Sequence, residues 1–289
     1  MILVTGVGGQ LGRLIFDGLV ATGAEVTAGS RAPESLTVPA RRVDFDDPSS
    51  LVGGFDGVRT LVLVSAGFGE DDVVMARHRA AIEAAGRSGV AHVIYTSLFG
   101  GGDHLSLATA HRYTEHLLST AQFGYTILRN GLYAELFALE VMRAATQGVV
   151  ASAWGEGRVR PVARADLAAA AVVVADEVER AARRGVPSRH RNRSYDLGGV
   201  EPVGAVEIAI MVAGATGREI ERRDVSLADV RAELAELGLP AYQVGHVLSI
   251  VSGIRAGHLD NDTSDLADLI GRAPFSVEHA LLDAAGVPA

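Results

Sequence analysis

Hydrophobic residues along the first half of the chain alternate between two periods. Met1-Ile2-Leu3-Val4 is a short unbroken apolar run, and after the polar and glycine residues that follow it, Leu14, Ile15, Leu19 and Val20 recur at helical spacing. A second run, Glu25-Val26-Thr27-Ala28-Gly29, ends at Ser30-Arg31. The same order then repeats. Arg42-Val43-Asp44-Phe45-Asp46 predicts a short third strand ending in acids, and 48–52 a brief helix. Residues 58–65, dense in Val and Leu, predict a parallel strand buried on both faces. Residues 70–88 are amphipathic, with Val74, Ala81, Ile82 and Ala85 on one face; 92–97 and 125–129 are the fifth and sixth strands, with a helix over 109–120 between them. Strand and helix in strict alternation predict an α/β fold, a doubly wound parallel sheet of Rossmann type.

The second half is less regular. Helices are expected over 132–145, 164–178, 203–213 and 227–237, with strands at 194–197 and 219–225 and several short helices from Pro240 onward. These pieces predict a small, mixed, mainly helical C-terminal lobe. The expected division is a nucleotide-binding domain over 1–150 and a smaller substrate-binding lobe over 151–289, with some segments returning to the first domain. Arg180, Arg183, Arg184, Arg189, His190, Arg191 and Arg193 form a basic stretch. Gly185, Pro187 and Ser188 break any helix there and no aromatic residues interleave, so a solvated surface loop is expected.

The link between the first strand and first helix, Thr5-Gly6-Val7-Gly8-Gly9-Gln10-Leu11-Gly12, carries the first chemical information. In this position a glycine string is the signature of a dinucleotide site. Gly6 allows a sharp turn off the strand, Gly9 removes a side chain where a pyrophosphate approaches, and Gly12 lets the helix pack close to the sheet. The amides of Gly9, Gln10 and Leu11 are then expected to face the phosphates from the positive end of the helix. A site selective for NAD places Asp or Glu at the end of the second strand to bind the ribose 2′-hydroxyl. Arg31 stands there instead, and a guanidinium suits a 2′-phosphate. NADP(H) is the cofactor this favours.

Composition narrows the chemistry. The net charge of −9 disfavours nucleic-acid and anionic-membrane binding, and 48% hydrophobic residues over 289 positions supply a sizeable core. Without cysteine there is no disulfide, thiolate metal site or thiol nucleophile, and no metal site is expected. No long apolar span or signal peptide is found, so a cytoplasmic location is expected. All 26 basic residues other than histidine are arginine, which removes Schiff-base chemistry and any lysine proton relay.

Ligands in open α/β sheets lie beyond the carboxyl ends of the strands. The candidates by position are therefore Ser65-Ala66-Gly67 on the adenosine and ribose side, Thr96-Ser97-Leu98-Phe99, and Asn130-Gly131-Leu132-Tyr133 toward the nicotinamide. Gly100-Gly101-Gly102 predicts a mobile loop over the substrate. The usual proton-donating device beside a nicotinamide is a Tyr-x-x-x-Lys pair after the fifth strand, in which the lysine lowers the tyrosine pKa. Here Tyr113 is followed at that offset by Leu117, and Tyr95 by Phe99.

These residues resemble the atypical short-chain dehydrogenases of the NmrA-like group, in particular the branch of type 2 NAD(P)H:quinone oxidoreductases and triarylmethane dye reductases. The resemblance is carried by the glycine turn, Arg31, Arg77-His78, Tyr95-Thr96-Ser97, His111-Arg112-Tyr113-Thr114-Glu115, and Tyr125-Thr126-Ile127-Leu128-Arg129-Asn130-Gly131-Leu132-Tyr133. It continues through Arg164-Ala165-Asp166, Tyr195-Asp196-Leu197 and Asp265-Leu266-Ala267-Asp268-Leu269-Ile270-Gly271. It implies an NADPH-binding domain that passes hydride to quinones or extended cationic dyes, or alternatively an NADP-binding redox sensor that acts through a protein partner.

On that basis the cofactor set is Gly6, Gly9, Gln10, Leu11, Gly12, Arg31, Ser65, Ala66, Gly67, His78, Thr96, Ser97, Asn130 and Gly131. Tyr133, Asn130 and His111 are the candidate proton donors, with a surface helix position an equal reading of His111. Leu98, Phe99, Leu132, Tyr133 and Phe137 form an apolar wall for a flat acceptor, or simply core. Glu115 is expected to be a structural acid. The stretch 180–193 and the His104-bearing loop 99–107 depart from the family pattern. The partner expected is a small aromatic or quinone-like substrate, with a homodimer as an option and no nucleic acid or membrane. Replacing Arg31 with alanine is expected to weaken NADPH binding by about 1.5–3 kcal/mol, the worth of a hydrogen bond to a charged group, and to spare NADH. Calorimetric titration with both cofactors checks this, and equal losses refute it.

Overall fold

The computed structural model describes residues 1–66 and 69–288. Its first half runs β1 (Ile2–Val4), α1 (Gln10–Ala21), β2 (Val26–Ser30), β3 (Ala40–Arg42), α2 (Pro48–Gly54), β4 (Thr60–Leu63), α3 (Asp71–Arg87), β5 (His92–Leu98), α4 (Ala108–Ser119) and β6 (Gly124–Asn130). The second half adds α5 (Ala138–Gln147), β7 (Val149–Ser152), α6 (Arg164–Arg183), β8 (Arg193–Leu197), α7 (Ala205–Thr216), β9 (Glu221–Asp224), α8 (Leu227–Glu236), α9 (Ala241–Arg255), α10 (Leu266–Ile270) and α11 (Val277–Ala285).

The main sheet has seven strands in the order β3-β2-β1-β4-β5-β6-β8, all parallel. The order reverses between β1 and β4, which is where such sheets open a crevice at their carboxyl ends. Both faces are covered. Ile15, Phe16 and Leu19 of α1 pack with Leu167, Ala171 and Val174 of α6 on one side; Leu51, Phe55, Ala81 and Ala85 pack with Leu61, Leu63, Val93 and Tyr95 on the other. β4 and β5 are buried along their whole length, as their Val and Leu content requires. Register then sets the site. Leu98 pairs with Asn130 and Asn130 with Leu197, so three chain segments leave the sheet at one level.

Several elements differ from the sequence expectation for local reasons. β3 ends at Arg42 and the acids after it do not extend it. Asp47 instead caps α2, its carboxylate accepting from the Ser49 amide at 3.2 Å, and Ser50 Oγ accepts from the Asp44 amide at 3.0 Å. β7 was not expected; left-handed Gly148 (φ +74) ends α5 and turns the chain into it, and it pairs with β9 in a separate two-stranded parallel sheet. In the tail, α9 is a 15-residue helix and not one of several short ones. No helix among the described residues is long and apolar enough to cross a membrane.

The arginines of the basic stretch are exposed, as expected of a solvated surface; of its charged or titratable residues only His190 is drawn inside. α6 runs on to Arg183, and Arg180 pairs with Asp176 at 2.6 Å. His190 is fully buried, with Nδ1 2.8 Å from the Tyr195 hydroxyl and Nε2 2.9 Å from Glu177, which also takes Arg189. Thr126 donates to the His190 carbonyl at 2.8 Å. These bonds seat β8 against β6. At the other end of α6, fully buried Asp166 accepts from the Phe275 amide at 2.8 Å and pairs with Arg272 at 2.7 Å, which ties the C-terminal segment across the helix.

Gly12 is the tightest point of the nucleotide-binding half. A Cβ there would lie 2.9 Å from the Thr5 carbonyl oxygen and closer still to that of Gly6. Backbone is on the receiving side of that clash, so Gly12→Ala is expected to cost about 1–3 kcal/mol, the usual range for forced overpacking. A lowered urea midpoint at unchanged slope measures it.

Candidate active site

The glycine turn forms an open cradle at the end of β1. Gly6 takes a left-handed conformation (φ +67), and the Thr5 hydroxyl accepts from the Val64 amide at 2.9 Å, which holds the end of β4 beside it. α1 begins without a side-chain cap and with no acid in its first turn. The N–H groups of Gln10, Leu11 and Gly12 therefore have no intrahelical acceptor and leave the helix end positive. One expectation is corrected: the Gly9 amide donates to the Gly6 carbonyl at 2.8 Å and is not free for a phosphate. Gly6, Gly8, Gly9 and Gln10 are exposed, and a Cβ on Gly8 would touch nothing. Arg31 is exposed just past β2, and its carbonyl accepts from Arg42 at 3.1 Å. The bidentate Arg77 bond holds the Asp46 carboxyl below its usual pKa, with a smaller push from Arg31.

Beyond β4, Ser65 donates its amide to the Thr96 hydroxyl at 3.0 Å. Gly67 lies outside the described residues. The Ala66 amide donates to His78 Nε2 at 2.9 Å, so that nitrogen carries no proton. Nδ1–H must then donate to the Thr114 hydroxyl at 2.7 Å, which itself donates to the Ala110 carbonyl. Both ring nitrogens are thus occupied by protein groups, and His78 clamps α3 and α4 to the loop that follows β4. Burial pushes its pKa down to about 3. His111 is half-buried on α4. Its Nδ1 lies 2.8 Å from the buried Tyr95 hydroxyl, and burial lowers its pKa to about 4 while raising that of Tyr95.

Ser97 is drawn into an ion cluster. Its hydroxyl donates to Glu115 at 2.6 Å, and Glu115 also accepts from Arg112 at 2.8 Å and Arg129 at 2.7 Å. Burial alone would raise the Glu115 carboxyl; the bonds from Arg129 and Ser97 and the Arg112 charge outweigh it and hold the group below its ordinary pKa. Arg112 also donates to the carbonyls of Leu98 and Phe99 at 2.8 and 3.0 Å. The triple glycine after them is a pinned 3-10 turn where a mobile loop was expected. Gly100 donates to Asp196 at 2.7 Å, and a Cβ on Gly101 or Gly102 would strike Phe99 or Leu98. Further on, Ser106 bonds His246 and Ser249 of α9, and His104 stacks on His258 at 4.2 Å.

At the end of β6 stands Asn130, 2% exposed, whose amide makes no hydrogen bond of normal length but lies close enough to the Tyr133 hydroxyl to act on it. A buried amide without such a bond costs about 1–3 kcal/mol and so points to a ligand. Gly131 donates to the Leu197 carbonyl at 2.9 Å, and a Cβ on it would press on Val162. Burial raises the Tyr133 phenol, opposed in part by the Asn130 side chain. Leu98, Phe99, Leu132 and Phe137 all lie in the core of the second lobe, Phe137 edge-on to Trp154 at 5.5 Å, while Tyr133 packs with the other core. Sequence reasoning missed the parts played by Arg112, Arg129, Thr114, Arg164 and Asp196. All five lie inside the segments that carried the resemblance, but nothing local marks an arginine as internally paired.

A parallel sheet with a glycine turn at its switch point defines a dinucleotide-binding Rossmann protein. Residues 6–177 match the NAD(P)H-binding family model. The chain is 31% identical to quinone oxidoreductase 2 of Escherichia coli over 97% of both chains, and 27% identical to an NmrA-like oxidoreductase of Aspergillus flavus over 96% of this chain and 93% of that one. Triphenylmethane reductase of Citrobacter, solved with NADP(H), superposes with a TM-score of 0.87 at 29% identity over 98% of this chain and 99% of that one. The chain belongs to the NAD(P)H-binding, NmrA-like family of atypical short-chain dehydrogenases.

His78 also makes a pH prediction. Its folded pKa of about 3 lies below the 6.5 of a free imidazole, so the unfolded chain takes up a proton that the folded chain refuses. Its contribution to stability is full above pH 6.5 and is lost progressively as pH falls toward 3. His78→Gln should lower stability at pH 7.5 and flatten the decline between pH 6.5 and 4 by about one proton, measured by urea unfolding across that range.

Proposed function

We propose that the chain is an NADPH-dependent oxidoreductase that passes hydride to a quinone-like or extended conjugated acceptor without a Tyr-Lys dyad. The observation that carries this reading is Asn130, a buried carboxamide at the carboxyl end of β6, on the crevice side of the sheet, with no hydrogen bond of normal length and the Tyr133 hydroxyl as its polar neighbour. Its donor and acceptor complement those of a nicotinamide carboxamide. The glycine turn and the Gln10, Leu11 and Gly12 amides would hold the pyrophosphate, and Arg31 the 2′-phosphate. Ser65, Ala66 and Thr96 would border the ribose side, and Gly131 the nicotinamide side. His78 and Ser97 would shape that edge through their bonds to protein groups.

When bound, the reduced nicotinamide supplies a hydride to the acceptor. A quinone is electrophilic enough to take it when correctly held, so orientation counts for more than acid catalysis. Reduction to the hydroquinone needs one proton besides the hydride. Tyr133, protonated at neutral pH as any phenol is and made a weaker acid by its burial, is the candidate donor. His111 is neutral and bonded to Tyr95, so it acts as a positioning group in this reading. The packed side chains Leu98, Phe99, Leu132 and Phe137 form an apolar floor that keeps water from the reacting end. No lysine exists to lower the pKa of a tyrosine, which disfavours simple carbonyl substrates.

NADPH oxidation should accelerate with benzoquinones, naphthoquinones or cationic triarylmethane dyes and not with simple ketones. Binding of NADPH with no acceleration by any acceptor overturns the enzymatic reading in favour of a sensor. Asn130→Leu, which fills the site without an amide, should cut turnover by about 10–100-fold, from the loss of one or two oriented hydrogen bonds.

A further inference from the structure

Arg164 is the least expected cation near the cradle. It opens α6, and the parallel bridge between Tyr133 and Val162 carries the preceding residues alongside 132–134. The Val162 amide donates to the Leu132 carbonyl, and the Ala134 amide to that of Val162, both at 2.9 Å. The Arg164 side chain is 13% exposed. Its guanidinium donates to Gln10 Oε1, lies 4.8 Å above the Tyr133 ring centre, and is 3.7 Å from Glu135. Gln10 is the first residue of α1, so a positive charge is held at the positive end of that helix. This placement is electrostatically unfavourable by itself. Glu135 relieves it only at ion-pair distance, and the Glu135 Oε2 atom is left buried without a partner. An anion between Arg164 and the first turn of α1 would remove the conflict. Tyr133 in turn neighbours the buried side chain of Asn130, which acts on its hydroxyl.

We infer that Arg164 is a cofactor-binding residue that exchanges its Gln10 partner for a pyrophosphate oxygen of the dinucleotide. This rests on the NADP(H) reading above. Arg164 then links the two ends of the site. The guanidinium that meets the phosphate also stacks on Tyr133, so phosphate binding fixes the ring that faces the reacting end. Gln10 acts as a place-holder that occupies the guanidinium while no anion is present.

Calorimetric titrations with NADPH, NADH and adenosine 2′-phosphate, which lacks the pyrophosphate, separate this role from that of Arg31. Arg164→Ala should weaken NADPH and NADH by the same factor, about 10-fold or more, and leave adenosine 2′-phosphate unchanged. Arg164→Lys should recover part of the loss, because it keeps the charge but not the planar fork. Arg31→Ala should show the opposite pattern, losing NADPH and adenosine 2′-phosphate while sparing NADH. The inference is overturned if Arg164→Ala binds both dinucleotides within about two-fold of the parent. It is also overturned if Arg164→Ala loses adenosine 2′-phosphate to the same extent. Failure of the parent chain to bind NADPH at all removes the cofactor reading itself, and the parent titration reports that separately.

Discussion

One buried carboxylate fixes the geometry on which the candidate site depends. Glu115 takes hydrogen bonds from Ser97 on β5, Arg129 on β6 and Arg112 on its own helix. Arg112 passes that constraint to the Leu98 and Phe99 carbonyls, and Arg129 reaches toward Asp196, which holds the Gly100 amide. Two strands, a helix and the turn after β5 are thereby locked at the level where Asn130 leaves the sheet. Breaking a buried charge cluster by removing one member generally costs several kcal/mol, because the remaining charges lose their partners. The cluster explains why a glycine-rich connection at the mouth of the site is ordered.

A second polar layer sits beside the first. His78, Thr114, Tyr95 and His111 run from the loop after β4 to α4, and burial keeps both histidines neutral. Where a lysine-assisted tyrosine would be sought, the fold instead holds neutral groups bonded to one another. Little acid-base capacity remains there, which agrees with an acceptor that needs orientation above all.

Period and glycine placement made the nucleotide-binding half legible. The alternation of buried Val and Leu runs with amphipathic stretches is a direct record of two-sided burial, and Gly12 is explained by contact with the Gly6 backbone. Legibility failed where tertiary partners decide. His190 looks like part of a solvated basic loop until Glu177 and Tyr195 are brought to it, while the arginines around it stay exposed. Phe99 and Phe137 suit a pocket wall equally well as a core, and periodicity cannot tell these apart. Arg112, Arg129 and Arg164 carry no local mark that separates an internal guanidinium from a surface one. Asn130 is marked in the sequence by position alone; the burial of its amide with no bond of normal length, the strongest pointer to a ligand, is a property only of the folded chain.

The late arrival of β8 governs how this protein can be made. The sheet's last strand lies at Arg193–Leu197, and the helix packed on α1 begins only at Arg164, so both come after the first six strands have been synthesised. A chain still emerging at residue 150 has an uncovered face over α1 and an open edge at β6. Uncovered apolar faces and strand edges are what make partly synthesised chains aggregate. Completion of the first half's sheet and of the layer over α1 thus waits on residues of the second.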